Sequence, residues 1–191
     1  MDLKNKIVSF FVFSIMAYCL WFFLTKDHQN DYLKLLVFSK TKGFRHASIE
    51  DGQKMFQSLA ERYGFEVIFS EESEVFNEKI LSDINVIVFL NTTGDILDDN
   101  QQLELQRYIQ AGGGFVGIHS ATDTEYKWSY YNQLVGAYFE SHPDDPNTLE
   151  ATVNVLNMDH ISTQHLPQNW IRTDEWYNFK KINPGINVLM Q

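Results

Sequence analysis

The chain has 191 residues, a length that suits one domain with a short appendage. Asp and Glu number 25 against 15 Lys and Arg, so the formal net charge is −10. An acidic protein repels phosphate backbones, which argues against nucleic acid as a partner. The single cysteine, Cys19, excludes a disulfide framework and a cysteine metal site, and it leaves residues 31–191 without a cysteine nucleophile.

The first 30 residues contain a hydrophobic segment. Residues 7–24 carry no charge, and a helix of about 18 residues spans about 27 Å, near the thickness of a bilayer core. Lys4 and Lys6 precede this run and favour an N-terminus inside the cytoplasm. We therefore predict a signal anchor that holds residues 31–191 outside the cytoplasm, in the periplasm or at the cell surface. The alternatives are a cleaved signal peptide, which would give a secreted protein, and a lipoprotein signal that uses Cys19.

From residue 33 onward, short apolar runs alternate with amphipathic segments. These patterns predict buried strands and helices, the strands over residues 33–39, 65–69, 85–90 and 115–118, the helices over residues 49–63, 76–81 and 98–109. Ser48 is predicted to cap the first helix and Gly64 to end it. Because strands alternate with helices, we predict an α/β fold with a mostly parallel sheet and helices on both faces.

The second half of the chain is richer in loops. Residues 128–135 are predicted to be helical, and residues 150–156 alternate in the manner of a strand at or near a sheet edge. Further strands are predicted over residues 174–179 and 187–190.

Ligands of parallel sheets bind beyond the carboxyl ends of the strands. This rule selects the loop that contains His119 and Ser120, directly after the strand at residues 115–118. Neighbours on an extended chain point in opposite directions, so His119 is a poor base for Ser120. We assign His119 as an acid/base or a ligand and Ser120 to a supporting hydrogen bond. A histidine with a purely structural hydrogen bond is an equal alternative.

Two other loops end at the same predicted sheet edge. Residues 41–47 place Arg45 and His46 just before a helix, whose N-terminus favours anions. Arg45 could bind a carboxylate, a phosphate or a sugar hydroxyl, and the alternative is a solvated loop charge. Residues 91–95, with Thr92, offer hydroxyls and amides, but by themselves they are typical of a turn.

The last third of the chain supplies His142 and the run from Asp174 to Tyr177. Aromatic rings beside carboxylates are common where sugars bind, and equally common in cores. Histidines and a carboxylate could form a zinc site. No tight ligand spacing supports one, so we predict no cofactor and assign no metal ligand.

Four stretches of the sequence resemble the ThuA-like family, which is named for trehalose utilisation. They are FSKTKGFRHASIEDG, FLNTTGDIL, AGGGFVGIHSATDTEYKWSYYNQLVGAYFESHP and DEWYNF, in this order along the chain. The resemblance implies the flavodoxin-like, class I glutamine amidotransferase-like fold. That superfamily has a cysteine at the turn after the fourth strand, where this chain has Ile118, His119 and Ser120, so glutaminase chemistry is not expected.

The resemblance also carries expectations about function. The family is linked to sugar metabolism, including oxidised (keto) disaccharides, and its members often occur in secreted or envelope proteins. Family domains usually continue well past the region of residues 174–179, so the chain is predicted to lack a C-terminal part. The predicted partners are a carbohydrate ligand and, through residues 7–24, a membrane.

We predict a sugar-processing enzyme in which His119 is the acid/base and Glu175 or Asp174 orients it or shares its proton. The residues assigned to substrate binding are Arg45, His46, Thr92, Ser120, Asp123, His142, Trp176 and Tyr177. The alternatives are a membrane-anchored carbohydrate-binding module without turnover and an inactive fragment.

Overall fold

The computed structural model describes residues 32–191. The hydrophobic segment at residues 7–24 lies outside the described residues, so its role as an anchor stays a prediction. Within residues 32–191, no helix is both long enough and apolar enough to cross a membrane.

A parallel sheet of four strands organises the first two thirds of the described chain. The strands are β1 (Lys34–Phe38), β2 (Glu66–Ser70), β3 (Val86–Leu90) and β4 (Gly114–Ile118), and their spatial order is β2-β1-β3-β4. Val37 pairs with Phe69 on one side and with Val88 on the other. β1 and β3 form the buried centre because nearly all of their side chains are apolar. The predicted parallel sheet is therefore confirmed.

Helices cover both faces of this sheet, as the alternation of elements predicts. They are α1 (Ser48–Tyr63), α2 (Glu78–Leu81), α3 (Asp99–Gln110) and α4 (Ser129–Val135). Leu36 of β1 shares a core with Leu105 of α3, whereas its neighbour Val37 points to the opposite face and shares a core with Phe56 of α1. Each such buried side chain contributes about 2 kcal/mol relative to an exposed one.

The ends of α1 show one correct and one wrong prediction. Gly64 ends the helix in the left-handed conformation, with φ 73°, as expected for a glycine after a last turn. Ser48 does not cap the start: the capping position is Ala47, which makes no side-chain cap. The Ser48 hydroxyl instead accepts a hydrogen bond from Asn91 Nδ2 at 2.8 Å. This bond joins the start of α1 to the loop after β3.

The last third forms two small antiparallel sheets. β5 (Tyr138–Ser141) pairs with β8 (Asn178–Lys180), and β6 (Leu149–Asn154) pairs with β7 (Asn169–Asp174). The prediction of one strand over residues 174–179 is wrong, because a loop at residues 175–177 separates β7 from β8. The strand predicted over residues 187–190 is also wrong, since only Met190 there forms an isolated bridge, to Val155.

Candidate functional site

Three side chains from separate loops converge beyond the carboxyl ends of the parallel strands. His46 lies in the loop after β1, His119 is the first residue after β4, and Glu175 lies in the loop between β7 and β8. The side chains of His46 and Glu175 are 16% exposed and that of His119 is 26% exposed. The group is thus largely enclosed but still open to a ligand.

The polar atoms of this group are close enough to interact directly. His119 Nε2 lies 3.0 Å from Glu175 Oε2 and 3.2 Å from His46 Nε2. His46 Nε2 lies 3.9 Å from the same carboxylate oxygen. We call His46, His119 and Glu175 the central cluster. Two imidazoles and one carboxylate within this range can exchange protons, hold a polar ligand or bind a metal ion.

The loop that contains His46 is fastened to the loop after β3. The Gly43 N–H donates to Thr93 Oγ1 at 3.1 Å, and the Thr93 hydroxyl donates to the Phe44 carbonyl oxygen at 3.0 Å. The backbone of Lys42 also donates to the Thr93 carbonyl oxygen, at 2.8 Å. Gly94 allows this close approach: it has φ 80°, and a Cβ there would lie 3.0 Å from Lys42 Cβ.

Residues 91–95, which the sequence predicts as a turn, thus also connect the loops of both histidines. Gly94 N–H donates to the Asp123 carbonyl oxygen at 2.8 Å, and Glu125 N–H donates to the Gly94 carbonyl oxygen at 3.2 Å. The turn that begins at His119 and the loop that contains His46 are therefore both bonded to the loop after β3. These bonds connect the loop of His46 to the turn of His119.

His119 occupies a sharp turn at the end of β4. Its φ is 51°, in the left-handed region that non-glycine residues seldom adopt. A single 3₁₀ turn follows over His119–Asp123, and it buries Ser120 completely. Ser120 Oγ lies 3.4 Å from His46 Nδ1. Ser120 therefore contacts the other histidine, in keeping with the expectation that it does not face His119.

The loop between β7 and β8 completes the site. Tyr177 OH lies 3.0 Å from His119 Nε2, and the Tyr177 ring packs on Phe139 with the ring centroids 4.3 Å apart. The second oxygen of Glu175, Oε1, lies 3.5 Å from His142 Nε2 and 3.4 Å from Asn147 Nδ2. The carboxylate is thus held on one side while its other oxygen faces the histidines.

Burial shapes the protonation of two side chains at the site. Burial first, and then the neighbouring His119, lower the pKa of His46 from its ordinary value. The Tyr177 pKa is raised, first by burial and then by the nearby Glu175 carboxylate. Near neutral pH, His46 is therefore neutral and Tyr177 keeps its proton, so Tyr177 can donate a hydrogen bond.

Four of the residues predicted for the site make other contacts. Arg45 Nη2 lies 2.9 Å from Glu71 Oε1 and 3.2 Å from Glu50 Oε1. Thr92 is fully buried, and its hydroxyl lies 2.9 Å from Thr124 Oγ1.

The two neighbours of Glu175 also bind elsewhere. Asp174 Oδ2 pairs with Arg172 Nη2 at 2.5 Å, and Trp176 Nε1 donates to the Leu149 carbonyl oxygen at 2.7 Å. These four side chains hold the surrounding structure together, and the structure does not bring them into the central cluster. Asp123 accepts a hydrogen bond from Tyr126 OH at 2.5 Å and lies beside the turn that begins at His119.

Sequence reasoning missed three residues around the site. Phe44 is 72% exposed, and its ring centroid lies 4.9 Å from that of His46, so it offers a free aromatic face at the rim. Asn147 reaches Glu175 from a loop with no recognisable pattern. Glu125 is fully buried, accepts the backbone N–H groups of Ile96 and Leu97 just before α3, and has a pKa raised chiefly by burial. Phe44 and Glu125 lay within stretches that the sequence singled out, whereas Asn147 did not.

Comparisons with known proteins agree with this architecture. The family model ThuA, described as trehalose utilisation, matches residues 34–191. No protein with a curated description matches the chain. The fold is similar to a ThuA-like protein of Bacteroides uniformis, with a TM-score of 0.70 and 24% identity over 83% of this chain and 66% of that one. A ThuA-like protein of Parabacteroides merdae gives 0.66 and 19%, over 83% and 67%.

The chain spans about two thirds of the length of these two crystal structures. Their likeness confirms the predicted flavodoxin-like, class I glutamine amidotransferase-like fold.

Proposed function

Because the chain belongs to the ThuA family, described as trehalose utilisation, we propose that it processes a carbohydrate at the central cluster. The observation that carries this proposal is the convergence of three reactive groups on His119 Nε2. Glu175 Oε2 and Tyr177 OH each lie 3.0 Å from that nitrogen, and His46 Nε2 lies 3.2 Å from it. Groups this close can transfer a proton to or from one bound substrate.

The site supports proton transfer beside a sugar carbonyl or hydroxyl. His119 is the acid/base, and Glu175 orients its ring or shares its proton. Tyr177 donates a hydrogen bond to a sugar oxygen, in keeping with its raised pKa. His46, whose pKa is lowered by burial, accepts a hydrogen bond from the substrate or positions it.

The proposed substrate is a disaccharide or its keto derivative. The description of the family points to trehalose, and a keto group next to a C–H bond gives an acid/base pair a proton to remove. Phe44 supports a sugar ligand because its exposed ring beside His46 can pack on the apolar C–H face of a sugar ring.

Product formation tests this proposal. The full chain is incubated with trehalose, other disaccharides and their keto derivatives, and the products are separated by chromatography. We expect turnover of at least one sugar, lost in His119→Ala and strongly reduced in Glu175→Gln. His165→Ala is the matched control, because His165 is an exposed histidine outside the central cluster. Turnover that survives His119→Ala would refute the assignment.

A second candidate function is carbohydrate binding without turnover. It is favoured by Phe44, which offers an exposed binding surface, and by Ile118-His119-Ser120, which stand where the superfamily has its cysteine. Sugar binding that depends on Phe44, together with no product from any sugar, would establish it.

We also propose that the domain acts outside the cytoplasm, on the strength of the hydrophobic run at residues 7–24 and the lysines before it. The test fuses a reporter that is active only outside the cytoplasm to the C-terminus. Activity with the native chain, lost when residues 7–24 are deleted, is the expected result. Reporter activity that is absent in both would contradict the proposal.

A further inference from the structure

His119 Nε2 has more polar neighbours than one ring nitrogen can engage. A neutral imidazole nitrogen carries either one N–H or one lone pair, and so makes one strong hydrogen bond. Here three polar atoms, Glu175 Oε2, Tyr177 OH and His46 Nε2, lie within 3.2 Å of it. Ordinary hydrogen bonds cannot serve all of these contacts at once. A cation between the two ring nitrogens and the carboxylate oxygen would engage those three atoms together, which leaves the Tyr177 hydroxyl to bond the Glu175 carboxylate.

The spacing of the three atoms in the central cluster fits a metal centre. Zinc binds histidine nitrogens and carboxylate oxygens at about 2.0–2.1 Å in a tetrahedral arrangement, which places neighbouring ligand atoms about 3.3 Å apart. The observed separations of 3.0, 3.2 and 3.9 Å bracket that value. We propose that His46 Nε2, His119 Nε2 and Glu175 Oε2 bind one divalent transition-metal ion of the zinc type.

Groups behind these atoms already hold two of the three side chains. Ser120 Oγ lies 3.4 Å from His46 Nδ1, the nitrogen that faces away from the cluster. His142 and Asn147 approach Glu175 Oε1, the oxygen that faces away from the two histidines. Outer partners of this kind fix the orientation of metal ligands and are common around metal-bound histidines and carboxylates.

The donor set also indicates the class of ion and its use. Two imidazoles and one carboxylate suit zinc and its first-row neighbours, whereas magnesium and calcium prefer oxygen ligands alone. Three protein ligands leave a fourth position for water or a sugar oxygen, and the partial exposure of the cluster allows access. An ion there polarises the sugar oxygen that it binds.

This inference rests on the proposed function only in placing the chemistry at the central cluster. Once an ion is bound, His119 is a ligand and no longer the free acid/base of the metal-free site. The ion then supplies the polarisation, and Tyr177, 3.0 Å from His119 Nε2, is the nearest proton donor.

Metal binding is measured without any sugar. The full chain is stripped with a chelator and titrated with Zn²⁺ by calorimetry, and Co²⁺ serves as a spectroscopic probe because four-coordinate cobalt absorbs strongly in the visible range. We expect one ion per chain. Affinity should fall at least tenfold in His46→Ala and Glu175→Gln, about tenfold in Ser120→Ala, and not at all in His165→Ala.

Glu175→Gln keeps the size of the side chain, so a loss of Zn²⁺ affinity in this variant is not expected to come from unfolding. Circular dichroism checks that the variant is folded. Affinity for Zn²⁺ that is equal in the wild type and Glu175→Gln, or no four-coordinate cobalt spectrum in the wild type, would overturn the metal site. Stoichiometric Zn²⁺ without sugar turnover would leave the metal site standing and refute the enzymatic proposal. Sugar turnover by a chain that binds no Zn²⁺, measured after complete removal of metal, would refute the metal site and leave the enzymatic proposal standing.

Discussion

Thr93 provides the sharpest test of how the site is held together. Its hydroxyl accepts from Gly43 N–H at 3.1 Å and donates to the Phe44 carbonyl oxygen at 3.0 Å, so it fastens the loop that contains His46. Thr93→Val removes both hydrogen bonds and keeps the volume of the side chain. Each bond contributes about 1 kcal/mol net, because folding exchanges hydrogen bonds to water for hydrogen bonds within the protein.

The free energy that opposes opening of the loop should therefore fall by about 2 kcal/mol, and this loss should be confined to residues 41–47. Local opening should become roughly 30-fold more frequent, which hydrogen exchange measured by mass spectrometry detects as faster exchange of the peptide covering these residues. The backbone bond from Lys42 N–H to the Thr93 carbonyl oxygen remains, so the loop loosens without detaching.

Thr92→Val is the matched control. Thr92 is equally buried, but its hydroxyl pairs with Thr124 and not with the His46 loop. This variant should lower overall stability without changing exchange at residues 41–47. Equal exchange of that loop in both variants would refute the view that Thr93 positions His46.

Three further predictions follow from buried or charged groups. Glu125→Ala should lower the free energy of unfolding by about 3 kcal/mol in urea titrations, because it leaves two backbone N–H groups without an acceptor. The pKa of His46 is lowered in the folded chain, whereas in the unfolded chain it has its ordinary value of 6.5. On acidification the unfolded chain therefore binds the proton first, so stability should fall as pH drops below about 6.5, and should fall less in His46→Gln. Arg45→Ala should change stability by less than about 1 kcal/mol and leave ligand binding intact, since its partners Glu71 and Glu50 are exposed.

Each of these has a clear contrary result. An unfolding curve of Glu125→Ala that overlays the wild type would show that water satisfies the buried N–H groups. Stability that rises on acidification, or an identical pH profile in His46→Gln, would contradict the direction of the His46 shift. Loss of sugar or metal binding in Arg45→Ala would return Arg45 to the site.

The sheet could be predicted from sequence because its strands are unambiguous. Each of β1 and β3 is a run of apolar residues too short for a helix and flanked by polar ones, which is typical of a strand buried on both faces. The small sheets could not be predicted as well. In residues 174–179, charged and aromatic side chains contact residues distant in the sequence, such as Leu149 and His119. Their pattern therefore does not distinguish the two strand ends from the loop between them.

The sequence also did not distinguish which of the predicted site residues reach the central cluster. His46, His119 and Glu175 were all named from sequence, but so were Arg45 and Trp176, which point elsewhere. Adjacent residues in an extended loop project in different directions, so only one of each neighbouring pair reaches the cluster. Which one does so depends on the conformation of each loop, and no sequence pattern encodes it.

A thermal melt of the full chain with a panel of disaccharides and keto derivatives tests whether the central cluster binds a carbohydrate. A ligand that binds only the native state stabilises it by about 2.7 kcal/mol at a hundredfold excess over its dissociation constant. We predict a raised midpoint with at least one sugar, abolished in His119→Ala and unchanged in His165→Ala. A panel without any shift, or a shift that survives His119→Ala, would contradict the claim that the central cluster is a carbohydrate site.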